Sequence, residues 1–275
     1  MIYIKWRIFV DTFVKYMGIA ILAILMFILI AIVGSIIFNG AGFINIKILT
    51  ENGNTSSGGI ANAIIGTWLL VFVGIVISLP VGVLAAIFLS EYGNKKFGLI
   101  SSIFTDILTS VPSIILGFFG YLLLVIYLGF GYSLLAGGIT LGILMLPYVV
   151  RITELSLLQV TQDTKDAAYA LGASKLQVIF RVSLPQSAKD VMAAVVLAVS
   201  IASGETAQLL YTAGWNNDLP TGLTNSQVGY LTYVVWTGIN QPFTYAHILA
   251  YSAALVLILS IFGLIIFSKY IKRGF

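Results

Sequence analysis

The chain has 275 residues, of which 59% are hydrophobic and only 9% are charged. Soluble domains use about 45–50% apolar residues, so this composition indicates an integral membrane protein. The net charge of +4 is not gathered in a basic patch, which argues against a nucleic-acid-binding protein. Because the sequence has no cysteine and a single histidine, it also excludes disulfides, thiolate sites and the usual zinc motifs.

Six apolar stretches are long enough to cross a hydrocarbon layer of about 30 Å as helices. We therefore expect an all-α membrane protein whose spans are Tyr16–Phe38, Ala61–Leu89, Ile103–Tyr127, Leu134–Val150, Val191–Thr212 and His247–Phe267. The first run is as long as a full span, so we interpret it as a retained anchor behind a cytoplasmic segment of residues 1–15. Pro80, Pro112 and Pro147 predict kinks in the second, third and fourth spans.

The distribution of Lys and Arg predicts the orientation. With the N-terminus inside, thirteen of the fourteen basic residues fall on the cytoplasmic side and Lys47 alone falls outside. The positive-inside rule then places both termini in the cytoplasm. It also makes residues 151–190 the longest cytoplasmic connection, and residues 39–60 and 213–246 outer loops.

The cytoplasmic loop, residues 151–190, contains signals for two short helices. Thr161 or Asp163 can cap a first helix from Lys165 to Leu171, and Gly172 stands where a left-handed residue ends a helix. On these signals alone, the loop is equally a solvated hairpin that only connects two spans.

The second helix of this loop has its own start and stop signals. Ser174 and Gln177 have the spacing of a capping box, which predicts a helix from Lys175 to about Val182. We expect Leu184-Pro185 to end it, because proline lacks the N–H donor and disfavours helix in the residue before it.

The same loop matches a longer pattern. Its residues follow the EAA loop, written EAA, three residues, Gly, nine residues, Ile, one residue, Leu-Pro, with Asp in place of Glu and Val in place of Ile. The matching positions are Asp166, Ala167, Ala168, Gly172, Val182, Leu184 and Pro185. This loop resembles that of the membrane subunits of ABC importers.

The resemblance implies that the loop is a pair of coupling helices seated in a cleft of a separate ATPase, which would hold ATP and Mg. The chain itself has no GxxxxGK[ST] phosphate loop. We therefore expect a permease subunit that binds no cofactor and has no catalytic or metal site of its own.

Four further segments resemble the PstA-type permease of phosphate importers: VPSIILGFFG (Val111–Gly120), LLAGGITLGILMLPYVVRITE (Leu134–Glu154), SGETAQLLYTAG (Ser203–Gly214) and SAALVLIL (Ser252–Leu259). The resemblance implies the type I ABC importer permease fold over residues 16–275, with a core at about 61–268, in the cell membrane. It also implies a second permease as heterodimer partner, an ATPase dimer and an extracytoplasmic phosphate-binding protein.

One departure from the family concerns the substrate. Similar permeases carry an arginine four residues before the Glu of the GET motif, and this chain has Ile201 there. A permease for molybdate, tungstate or sulfate is therefore an alternative to a phosphate permease.

Glu205 is the only acidic residue deep inside a predicted span, where an ionised carboxylate costs about 2.5–3.5 kcal/mol or more. It either locks spans together through an interhelical hydrogen bond, or lines and gates the substrate path in an ion pair with an arginine. Its neighbours Ser203, Gly204 and Thr206 belong to the same candidate path, although both hydroxyls can equally bond back to the helix.

Arg151 ends the predicted fourth span, where it either snorkels to the surface or contacts the substrate at the exit. Two other classes of function fit less well. An intramembrane enzyme would need Ser203 to meet His247, which lie several turns apart in depth. A secondary transporter would need more intramembrane ionisable groups than Glu205.

Overall fold

The computed structural model of the chain describes residues 2–53, 58–93 and 95–274, with the side chains of residues 10–53, 58–93 and 96–270. All regular elements in this part are helices. They are α1 (Ile2–Ala41), α2 (Ile46–Thr50), α3 (Ala61–Glu91), α4 (Lys95–Ser110), α5 (Ser113–Gly120) with a π-helical continuation (Tyr121–Tyr127), α6 (Leu134–Leu158), α7 (Gln162–Ala170), α8 (Lys175–Val178) with a π-helical turn (Ile179–Ser183), α9 (Leu184–Ser203), α10 (Ala207–Thr212), α11 (Leu231–Ile239) and α12 (Thr244–Gly274).

The centre of the fold is the pair formed by α3 and α6. Glycines on both helices bring the two backbones together: a Cβ added to Gly138 would lie 2.3 Å from Val73 Cγ1, and one added to Gly82 would lie 2.7 Å from Val149 Cγ1. Leu70, Leu141 and other buried side chains of these helices form the main core with α9 and α10. The α3–α6 pair is therefore packed too tightly for its helices to slide past each other without repacking.

Helix α1 lies at the periphery and packs on α12. Phe27 is 73% exposed and Phe38 is 87% exposed, and most apolar side chains between them are exposed as well. Apolar surface of this extent is stable in lipid or against another subunit, and not in water.

Within the described residues, five helices are apolar and long enough to span a membrane, and a sharply bent pair raises this to as many as six. The first, second and sixth predicted spans are confirmed as parts of α1, α3 and α12. The fourth is longer than predicted, because α6 continues to Leu158 through Pro147. Arg151 and the start of the predicted cytoplasmic loop are thus helical.

The third predicted span, Ile103–Tyr127, is not one continuous helix. It is broken at Val111-Pro112, and the two halves, α4 and α5 with its continuation, differ in direction by 93°. Pro112 itself is extended, with ψ of 133°. Proline also disfavours helix in the residue before it, Val111, and has no N–H to donate. The proline was predicted to kink the span, but it ends one helix and starts another.

The fifth predicted span, Val191–Thr212, is also wrong as a single helix. Helix α9 ends at Ser203, and three non-helical residues precede α10. The last turn tightens, because the N–H groups of Gly204 and Glu205 donate to Ile201 O and Ala202 O, three residues back. Glu205 consequently lies in a break between two helices and not within one.

The cytoplasmic loop contains the two predicted helices. Gly172 ends the first with φ of +81°, and the Ser174–Gln177 capping box is present in both directions. Leu184-Pro185 was predicted to end the second helix, and this prediction is wrong. A π-helical turn carries the chain into α9, and Pro185 falls in the first turn of that helix, where its missing N–H needs no partner.

The connections separate into two ends of the bundle, as the predicted topology requires. At one end, Ser156 Oγ donates to Asp190 Oδ2 at 3.0 Å, and the cytoplasmic loop lies beside the α3–α4 connection. At the other end, the hydroxyl of Tyr245 donates to Gly58 O, which joins the two connections predicted to be outside. Loops predicted to share a side thus share an end, and their assignment to the cytoplasm stays a prediction.

Candidate functional site

The predicted site residues fall into two groups. The first is a hairpin formed by α7, α8 and the turn between them, which we call the coupling hairpin (residues 162–183). The second surrounds Glu205 at the break between α9 and α10, which we call the break cluster (Ser113, Ser203–Thr206, Gln208 and Thr232).

The outer surface of the coupling hairpin is unusually apolar for a polar loop. Leu171 is 89% exposed, and Leu176 and Phe180 are more than half exposed. Asp166 lies beside this surface, and its Oδ1 accepts from Gln162 Nε2 at 2.9 Å, one turn earlier on α7. Exposed leucines at the tip of an ordered hairpin are typical of a docking surface.

The small residues of the pattern lie on the same hairpin. Ala167 is exposed and Ala168 is half-buried on α7, while Gly172 is exposed in the turn. No atom of the described structure lies within 4 Å of a Cβ added to Gly172, so its need for glycine within this chain comes only from its positive φ.

Val182, Leu184 and Pro185 do not belong to this exposed apolar surface. They lie in the continuous helix that leads into α9, where Val182 and Leu184 are half-buried and Pro185 is exposed. The structure thus brings together the first part of the EAA pattern and assigns the last part to the base of the hairpin.

Charged contacts hold the hairpin against the end of α3. Lys165 Nζ lies 2.6 Å from Glu91 Oε1, and the two side chains are 11% and 7% exposed. Lys175 Nζ donates to the backbone oxygen of Glu91 at 2.7 Å and lies 3.7 Å from the ring centroid of Tyr92. Both lysines therefore meet the negative end of the α3 dipole and its unpaired terminal carbonyls.

An apolar cluster forms the base of the hairpin. Ile179, 1% exposed, packs with Ala86 and Ile87 of α3 and with Leu157 of α6. This cluster joins the hairpin to both central helices at the level where α6 ends.

In the break cluster, the two broken elements meet. The carboxyl group of Glu205 lies near the side chain of Ser113, the first residue of α5 after the Pro112 break, and interacts with it electrostatically. The hydroxyl of Thr232, on α11, donates to Glu205 O at 2.7 Å. Glu205 thus connects α5, α9 and α11 through both its side chain and its backbone.

The neighbours of Glu205 differ in accessibility. Ser203 is buried, and its Oγ donates to Val199 O at 2.7 Å, so its hydroxyl bonds back to the helix. Gly204 is exposed, and Thr206 and Ile201 are half-buried. Among the described side chains, no Lys or Arg forms an ion pair with Glu205, so the expected arginine partner stays a prediction that requires another subunit.

The half-helices α5 and α10 pack closely beside Glu205. A Cβ added to Gly117 would lie 2.4 Å from Gln208 Cα. Gln208 is fully buried, and neither atom of its side-chain amide has a hydrogen-bond partner among the described residues. A polar side chain thus lies at the contact between the two half-helices.

Arg151 is separate from the break cluster. Its side chain is 48% exposed and lies 3.3 Å from Glu154 on the same helix. In the described part of the chain, no hydrogen bond or ion pair joins Arg151 to Glu205 or its neighbours, and its role at a substrate exit stays a prediction.

Sequence reasoning missed the residues that hold both groups in place: Glu91, Lys175, Ser113 and Thr232. Lys165 and Lys175 entered the sequence analysis mainly as topological markers. A weak signal existed for Glu91, since it is an acid at the cytoplasmic end of a span whose facing loop is basic. Across the described residues, no group of three potential ligands could hold a metal ion.

Known proteins resemble this chain in sequence and in fold. Residues 78–275 match the family described as binding-protein-dependent transport system inner membrane component. The phosphate transport system permease protein PstA 2 of Mycobacterium bovis is 41% identical over 227 residues, which are 82% of this chain and 75% of that protein. PstA of Haemophilus influenzae is 37% identical over 238 residues, which are 86% and 84% of the two chains.

Solved structures agree on the fold. An inward-facing MetNI methionine ABC transporter superposes with a TM-score of 0.59 at 21% identity, covering 78% of this chain and 94% of that chain. An amino acid ABC transporter gives a TM-score of 0.56 at 19% identity. These similarities confirm the predicted importer permease fold and carry no argument about the substrate.

Proposed function

Since the chain belongs to the family of binding-protein-dependent transport system inner membrane components, we propose that it is the permease subunit of an ATP-driven phosphate importer. The observation that carries this proposal is its similarity to phosphate permeases: identity of 41% to the M. bovis protein extends over 82% of the chain. A match over 82% of the chain extends well beyond the EAA loop of residues 151–190.

In this proposal the work is divided among subunits. A second permease completes the translocation path, and an extracytoplasmic binding protein delivers phosphate. A separate ATPase dimer holds ATP and Mg and docks on the exposed leucines and small residues of the coupling hairpin. The present chain hydrolyses nothing and converts motion of the hairpin into motion of its spans.

The break cluster is the proposed gate. Two helices are interrupted at the same place, where the Glu205 carboxyl group interacts with the side chain of Ser113. A carboxylate repels phosphate, so Glu205 acts by holding the halves of the path together and not by coordinating the anion. Loss of that contact would let α5 and α10 separate, since each is short and begins at a break.

A second candidate function is import of molybdate, tungstate or sulfate. Ile201, half-buried one turn before Glu205, favours it, because the resemblance places an arginine there in phosphate permeases. If the partner permease supplies the positive charge, Ile201 is compatible with phosphate as well.

The experiment is reconstitution of the chain with its ATPase and second permease in liposomes. Labelled phosphate uptake driven by ATP is measured with the binding protein present, and molybdate, tungstate and sulfate are tested as competitors. We expect ATP-dependent phosphate uptake. A tenfold excess of the other oxyanions, which would offset an affinity difference of about 1.4 kcal/mol, should not suppress this uptake.

Two results would contradict the proposal in different ways. Uptake that sulfate or molybdate suppresses more strongly than unlabelled phosphate does would assign the chain to the other oxyanion. Uptake by this chain without any ATPase would indicate a secondary transporter.

A further inference from the structure

We propose that the Glu91–Lys165 ion pair is the mechanical link through which the coupling hairpin drives the α3–α6 pair, an inference that rests on the proposed function. Glu91 lies outside the EAA pattern, and Lys165 precedes it. Both are positioning residues: they contact neither ATP nor the transported anion, and they determine how much of the hairpin's motion reaches the spans.

The first step is that the attachments of the hairpin to α3 lie at different distances from its tip. The apolar contact of Ile179 with Ala86 and Ile87 lies at the base. The ion pair of Lys165 with Glu91 lies on α7 itself, directly before Asp166-Ala167-Ala168. Without the ion pair, a force on α7 would tilt the hairpin about the contacts that Ile179 and Lys175 make with α3. With the ion pair in place, the same force moves α3.

The second step is that α3 transmits this motion to the rest of the fold. Its glycines lock it to α6, where a Cβ on Gly142 would meet Gly74 O at 3.2 Å and one on Gly74 would meet Met145 Sδ at 3.1 Å. A displacement at Glu91 therefore moves both helices, and with them the core they share with α9 and α10. The end of this core is the break cluster.

The link between the hairpin and α3 is ionic although it is buried. Desolvating a carboxylate and an ammonium group is unfavourable enough that apolar residues of similar size usually give equal or greater stability. The pair is nevertheless almost completely buried, at a hydrogen-bonded distance of 2.6 Å. A short charge-assisted bond fixes the relative position of two elements more narrowly than an apolar contact does, which is what a link under load requires.

Lys175 supports the link from the second helix of the hairpin. Its Nζ donates to the backbone oxygen of Glu91 and lies over the ring of Tyr92, so the residue that accepts the load is held from two sides. The backbone contact persists when the Glu91 side chain is changed, which predicts that substitutions at Glu91 leave the hairpin attached but loosely coupled.

The experiment measures transport per ATP hydrolysed in liposomes that contain the whole complex. The variants are Glu91→Gln, Lys165→Met, and the double variant Glu91→Leu with Lys165→Leu, which leaves no unpaired buried charge. We expect all three to retain the ATPase and to hydrolyse ATP, while the number of anions transported per ATP falls about 2- to 30-fold, the range seen for residues that carry coupling. Exchange of the charges, Glu91→Lys with Lys165→Glu, should restore part of the loss.

The matched control is Lys47→Met, which removes the exposed ion pair with Glu51 on the opposite end of the bundle and should leave transport per ATP unchanged. Unchanged transport per ATP in the assembled double-leucine variant would overturn the proposal, as would equal losses in transport and ATP hydrolysis. If the wild-type complex transports another oxyanion, only the phosphate assignment is refuted. The number of anions transported per ATP can then be measured with that oxyanion, and the coupling proposal is still tested. A wild-type chain that binds no ATPase would overturn both.

Discussion

The coupling hairpin and the break cluster differ in how their carboxylates are paired. At the hairpin, Glu91 is bound by one lysine through its side chain and by another through its backbone, and its side chain is nearly buried. In the break cluster, Glu205 is half-buried and interacts with the side chain of Ser113. Of these two carboxylates, only the first forms an ion pair among the described side chains.

This difference suggests a division between a stiff end and an adaptable centre. A paired, hydrogen-bonded charge is expensive to separate, so the hairpin moves as a body with α3. A half-buried carboxylate that forms no ion pair among the described side chains is held less firmly, so the break cluster can rearrange more easily. Alternating access requires both properties, since force must be transmitted without loss and must then change a bistable element.

The largest expected effect comes from Glu205→Gln in the break cluster. The amide keeps the shape and can still bond to Ser113, but it removes the charge that the proposed gate uses. We expect phosphate uptake to be abolished while the complex assembles normally, as measured by uptake in liposomes and by size-exclusion chromatography. Glu51→Gln, at the exposed residue that directly follows α2, is the matched control. Normal transport by Glu205→Gln would remove the charge from the mechanism.

The second effect concerns the hairpin turn. Gly172→Asp should abolish ATPase binding or uncouple ATP hydrolysis from transport, while all spans still insert in the membrane. The space around a Cβ at this position is open within the chain. The intrinsic cost is then the left-handed backbone, about 1–2 kcal/mol, and anything beyond it comes from the docking partner.

Gly172→Asn separates these two contributions. Asparagine adopts the left-handed conformation readily and has nearly the size of aspartate without its charge. Retention of the ATPase by Asn and its loss with Asp, in a pull-down assay, would assign the effect to charge in the docking cleft. Normal ATPase binding by Gly172→Asp would contradict the coupling role of this turn.

The hairpin could be predicted from the sequence because its determinants are local. The Ser174–Gln177 capping box and the Gly172 turn depend on residues within a few positions of each other, and both are present. The wrong prediction at Pro185 also has a local cause. Proline has no backbone N–H to donate, but the π-helical turn before it allows the helix to continue. No rule of spacing distinguishes these two outcomes.

The break cluster could not be predicted, because long-range partners stabilise it. An interrupted helix leaves carbonyl groups without intrahelical donors, and here Glu205 O receives the hydroxyl of Thr232, 27 positions later. Similarly, Thr212 O at the end of α10 accepts from Ser133 N. An apolar run with a single Gly-Glu-Thr step resembles a continuous span unless these partners are known. The family resemblance identified the correct segment but not its shape.

A third, smaller effect tests the stiffness of the central pair. Gly138→Ala places a methyl group 2.3 Å from Val73 Cγ1, and such overpacking costs about 1–3 kcal/mol. We expect a lower midpoint of thermal unfolding for the purified complex. Gly98→Ala in α4 is the control: it meets no atom within 4 Å and should stabilise slightly, by about 0.5–1 kcal/mol. Equal midpoints for the two variants would show that α3 and α6 yield easily, and would weaken the contrast between the two regions.

The smallest expected effect, and the one that most sharpens the contrast, is that of Ser113→Ala. It removes the side chain on α5 that interacts with the Glu205 carboxyl group, a loss of about 0.5–1.5 kcal/mol. Because the remaining contacts of Glu205 persist, we expect phosphate uptake to fall while ATP hydrolysis without substrate rises, since the gate is held less firmly. Ser110→Ala, at the last residue of α4, loses only a bond to Ile107 O and should change neither rate. If Ser113→Ala instead lowers both rates equally, the break cluster is a rigid support like the hairpin, and the adaptable element lies elsewhere in the path.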